Sequence, residues 1–81
     1  MRPDDVCKLE SKTPPKLAIR MLDESTMLIE GKKEALRFLG TLLIAVADDS
    51  LGDGFQLSPD GPGSVFFSTS STVGLYLRRV D

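Results

Sequence analysis

Asp49, Asp53 and Asp60, with Gly54 between them, are the carboxylates whose spacing comes nearest to chemistry in this sequence. Counted from Asp49, they fall where a calcium loop places its first, fifth and last oxygen ligands, with glycine at the sharp turn. The third ligand position is Leu51, which has no oxygen to offer. Asp60 is one methylene shorter than the usual bidentate glutamate, and Pro59 and an expected strand at Phe55 stand where the exit helix belongs. These residues therefore read as an acidic surface loop, and no metal is expected.

Other motifs fail in the same way, on context. Asp49-Ser50-Leu51 matches the phosphopantetheine attachment tripeptide of acyl carrier proteins, whose serine begins a helix in an all-helical domain; Ser50 instead follows a helix-patterned stretch. The Gly/Pro-rich segment 58–64 lacks the Gly-Lys-Ser/Thr ending and following helix of a phosphate loop, and reads as a hairpin loop. Histidine is absent, which removes the commonest general base near neutral pH and the commonest metal ligand. Cys7 is the single cysteine and has no histidine or second thiol to activate it. No catalytic residue and no cofactor are expected, and the chain does not read as an enzyme.

The hydropathy pattern supplies the elements that would position any binding surface. Residues 1–15 hold three prolines and several charges with only Val6 and Leu9 as sizeable apolar anchors, and read as a flexible leader to one domain at 16–81. From Lys16 the chain alternates, with Leu17, Ile19 and Met21 on one side and Lys16, Ala18 and Arg20 on the other. Asp23-Glu24-Ser25 interrupts it and Thr26 to Glu30 resumes, so the pair reads as an antiparallel hairpin. Residues 32–48 change to a helical period. Ala35, Leu36, Leu39, Leu42, Leu43, Val46 and Ala47 share an arc, Phe38 and Ala45 lie at its edge, and Ile44 falls on the polar side with Lys33, Arg37, Gly40 and Thr41. Strands are then expected at 55–57, 65–68 and 73–80.

The order ββαβββ gives an α+β fold: a four- to five-stranded antiparallel sheet with one long helix on one face. The other face is left open. By alternation it would show Lys16, Ala18, Arg20, Leu28, Tyr76, Arg78 and one of Phe66 or Phe67. Basic groups around an aromatic on a sheet suit a protein partner or single-stranded RNA, and a net charge of −2 disfavours nucleic acid. The longest apolar run, residues 42–47, is far short of the ~20 needed to span a membrane. With no signal-peptide pattern at the start, the cytoplasm is the expected location.

The stretch from Ile29-Glu30-Gly31-Lys32-Lys33-Glu34-Ala35-Leu36-Arg37-Phe38 through Leu39-Gly40-Thr41-Leu42-Leu43-Ile44-Ala45-Val46-Ala47-Asp48 resembles small α+β immunity proteins of bacterial polymorphic toxin systems. There too a strand passes through a short polar, Gly-containing entry into a Leu-rich helix that ends near an acidic residue. The likeness runs more loosely through Phe55-Gln56-Leu57 and Leu75-Tyr76-Leu77, covering about residues 27–80. It implies a cytoplasmic protein that binds and neutralises a toxin. Two functions lead, a bacterial binding protein that occludes such a partner and a structural homodimer, with a small enzyme or ligand carrier as the third alternative. The expected contact residues are Lys16, Arg20, Tyr76 and Arg78 on the sheet, with Ile44 on the helix.

Overall fold

The alternation around Ile19 is realised as a hairpin. In the computed structural model, which describes residues 2–50, 52 and 54–81, strand β1 (Ala18–Met21) pairs antiparallel with β2 (Met27–Glu30), Ile19 facing Ile29. Helix α2 (Lys33–Asp48) follows, then β3 (Phe55–Leu57), a 3-10 turn at Ser64–Phe66, and β4 (Leu75–Leu77). The fold is α+β, as expected, but the single broad sheet is not formed. Among the described residues the strands form two separate antiparallel pairs, β1 with β2 and β3 with β4.

Ser64–Phe66 accounts for part of that difference. Residues 65–68 have strand-like composition, yet Gly63 takes a left-handed backbone (φ 77°) that turns the chain into a 3-10 helix, and Phe66 drops its ring onto Phe38 of α2. The chain then runs beside the second edge of β1 without forming a regular ladder. Leu17 donates to the Phe66 carbonyl (2.9 Å), Ser68 donates to that of Leu17 (2.8 Å), and Thr72 donates to that of Ile19 (2.9 Å). Between these, the Ser71 hydroxyl donates to the Leu17 carbonyl (2.8 Å) and accepts from the Ile19 N–H (3.1 Å), taking the place of a backbone rung. The backbone groups of the buried Leu17 and Ile19 are thus satisfied.

Part of the segment that the sequence suggests is a flexible leader is helical. Pro3–Glu10 is a helix, α1, with Pro3 in its first turn, Asp4 and Asp5 at the positive end of its dipole and Lys8 in its last turn. The Arg2 N–H donates to the Asp5 carboxylate (3.1 Å). A helix of eight residues is not stable alone. Packing against α2, with Val6 buried in the common core, supplies what its few apolar residues could not supply in isolation.

That core joins Val6, Leu17, Ile19, Ala35, Phe38, Leu42, Ala45, Leu57, Phe66 and Phe67. It buries a different arc of α2 from the one expected. Ala35, Phe38, Leu42, Ala45 and Val46 are buried, whereas Leu36 and Leu43 are about half exposed (46% and 47%). The helix is rotated by roughly a quarter turn about its axis relative to the arc read from the sequence. The ring of Phe66, stacked on Phe38, draws that side inward.

Candidate functional site

The expected contact residues are not brought together on one sheet. Lys16 donates its ammonium to the Val65 carbonyl and so ties the start of β1 to the 3-10 turn. Arg20 pairs with Glu30 across the hairpin at 3.5 Å, both side chains well exposed. Tyr76, at 66% exposure, belongs to the other strand pair, where its ring lies against Gly54 so closely that a side chain there would collide with it. Arg78 is exposed just beyond β4. The rest of the expected open face is also changed: Ala18, Phe66 and Phe67 are all buried. Ile44 is 64% exposed on the outer side of α2.

The concave regions among the described residues include two of nearly equal size. One, of about 490 Å³, lies at the start of α2 between Pro14–Lys16, Glu30–Ala35 and Ser68. Lys16 and Lys32 are matched there by Glu30 and Glu34, so the site offers no net charge to an ion. The other, of about 460 Å³, sets Cys7 beside Phe55, Leu57, Val65 and Phe66. Burial, and secondarily the Asp4 charge, push the Cys7 thiol above its ordinary range, which keeps it protonated and a poor nucleophile at neutral pH.

Among the described residues, no group of three or more His, Cys, Asp or Glu is placed to hold a metal ion. Leu51 and Asp53 of the acidic loop lie outside the described residues. Asp49, the first residue of that loop, is buried at the end of α2 and has a partner within the fold.

The outer face of α2 is the largest feature that the sequence pattern misassigned. Leu36, Leu43, Ile44 and Ala47 are exposed, and on a helix of 3.6 residues per turn all four project within roughly 60° of the direction of Gly40. Lys33 and Arg37, also exposed, border this row, and Asp48 stands at its far end. The signal was present in the composition. Apolar residues cover well over half the circumference of the helix, more than one buried face of a small domain can use. A second apolar cluster, Met21, Leu22 and Met27, caps the tip of the β1–β2 hairpin.

No helix among the described residues is long and apolar enough to cross a membrane. Comparisons with protein-family models, with characterised proteins and with solved structures give no match.

Proposed function

We propose that this chain is a small binding protein that acts by covering another macromolecule, performs no chemistry of its own, and meets its partner on the outer face of α2. The exposure of Leu36, Leu43 and Ile44 around Gly40, on a helix whose other side already gives Phe38 and Leu42 to the core, carries this reading. Scattered apolar side chains on a surface are ordinary, but a contiguous row at helical spacing is the pattern by which helices dock.

The resemblance of residues 29–48 to immunity proteins gives the proposal one specific form, a cytoplasmic inhibitor that occludes a bacterial toxin. A homodimeric structural domain is its other form and uses the same face. Of the five contact residues expected from the sequence, Ile44 is the one this proposal retains.

A photoreactive amino acid placed at Ile44 in the producing cell tests it. The reading expects a discrete covalent adduct with one protein species on irradiation, and none when the same group replaces Glu24 in the hairpin loop. Equal, diffuse labelling from both positions would contradict it.

A further inference from the structure

Gly40 sits in the middle of a 16-residue helix, where glycine is among the least favourable residues. Gly31 and Gly74 have evident reasons. A β-carbon at Gly31 would lie 2.9 Å from that of Ala35 and 3.0 Å from the Lys16 carbonyl, and one at Gly74 would lie 2.7 Å from the Leu57 carbonyl. A β-carbon at Gly40 would meet nothing within 4 Å. No close approach within the fold calls for glycine here. Outside the fold, Gly40 is the lowest point of a row that rises on either side to Leu36 and Leu43 and to Ile44, the shape that lets a second helix approach closely.

The charges along the row select the occupant. Lys33 and Arg37 occupy its N-terminal half and Asp48 its C-terminal end, all three on the same side of the line through Gly40. Arg79, which donates to the Ala47 carbonyl, is itself paired with Asp81 at 2.7 Å. Glu34 lies further round the helix, in the groove with α1. Two copies of α2 side by side and antiparallel, related by a two-fold axis at Gly40, would set Lys33 of each beside Asp48 of the other. Leu36 of each would face Leu43 of the other across the axis. A parallel pair would oppose Lys33 to Lys33 and align the helix dipoles unfavourably.

Taking the docking role of this face as its premise, we infer that the partner is a second copy of this chain, bound as an antiparallel α2 pair that crosses at Gly40. A contact of about 600 Å² per copy, the lower end for a specific interface, is just over a tenth of the 5445 Å² surface. The pair is accordingly a weak, reversible dimer.

Sedimentation equilibrium of the full chain from micromolar to millimolar concentration tests this, read beside the crosslinking at Ile44. The inference expects a monomer–dimer equilibrium that Ile44→Asp weakens at least ten-fold. Lys33→Glu should weaken it roughly two- to thirty-fold through two symmetry-related pairs, and adding Asp48→Lys should restore it. Gly40→Ala gives the readout that a purely structural role would not: it should raise the thermal midpoint of the dilute monomer while weakening the dimer. A strict monomer that still crosslinks at Ile44 to a different protein would overturn the second-copy inference and leave the docking face standing. A strict monomer without adduct would overturn both, and a dimer indifferent to Ile44→Asp would overturn the antiparallel α2 pair.

Discussion

The rings of Phe38 and Phe66 stack with their centroids 4.7 Å apart and their planes inclined by 23°. One ring comes from the middle of α2 and the other from the 3-10 turn, so the contact fixes which side of α2 faces inward and, by exclusion, which side faces out. Phe66→Ala would remove a side chain that is 3% exposed and leave a cavity against Phe38. The expected loss is about 3–5 kcal/mol, and Phe66→Leu should cost less because it refills part of the space. Urea unfolding of the two variants gives the comparison.

Ser71 stands in for a backbone rung beside β1. Ser71→Ala takes away the acceptor that the Ile19 N–H uses and one donor to the Leu17 carbonyl, at two residues with no exposed surface. A cost of ~1–3 kcal/mol is expected, accompanied by faster hydrogen exchange at the Ile19 amide. Unchanged exchange at that amide would show that the hydroxyl is dispensable.

Cys7 should be slow to alkylate. Its thiol titrates above the ordinary value of 9.0, first through burial and second through the Asp4 carboxylate, so the thiolate is scarcer at neutral pH than in an unfolded peptide. The rate with iodoacetamide should keep climbing above pH 9.0, and Asp4→Asn should recover only the smaller part of the difference. Unfolding the chain in urea should recover most of it.

Asp23 carries the opposite shift. Its carboxylate accepts from the Ser25 N–H (2.8 Å) and hydroxyl (3.2 Å), which holds it below the ordinary 3.8. A carboxyl group lowered in the folded state adds stability that is fully present above the unfolded value and is lost as pH falls through the folded one. The β1–β2 turn should therefore loosen only in acid below pH 3.8, followed by the Asp23 carboxyl resonance and by the amide of Ser25. Asp23→Ala should abolish that step while leaving the core resonances in place.

The sequence made some of these relationships visible and hid others, for identifiable reasons. The β1–β2 hairpin was legible because Leu17, Ile19 and Met21 alternate with Lys16, Ala18 and Arg20 in the sequence and Asp23-Glu24-Ser25 marks the turn, and α2 was legible from its period. The rotation of α2 was not. Leu36 and Phe38 both suit a core, and only the arrival of Phe66 decides between them. The turn at Ser64–Phe66 was hidden because Val65, Phe66 and Phe67 have strand composition while Gly63, outside that run, sets the backbone. Helix α1 was hidden because its stability comes from Val6 packing under α2, which no local pattern reports. Ile44 was found as an apolar residue on a polar arc. Leu36 and Leu43 were missed because that same arc was read one quarter turn out of place.

The central claim, that this chain meets a second molecule of itself along the outer face of α2, is tested most directly by following amide chemical shifts on dilution from millimolar to micromolar protein. The account predicts concentration-dependent shifts at Leu36, Gly40, Leu43 and Ile44, with Leu42 and Ala45 on the core side and Tyr76 and Arg78 on β4 and beyond unchanged. Shifts confined to Lys16, Arg20, Tyr76 and Arg78, or spectra identical at every concentration, would contradict it.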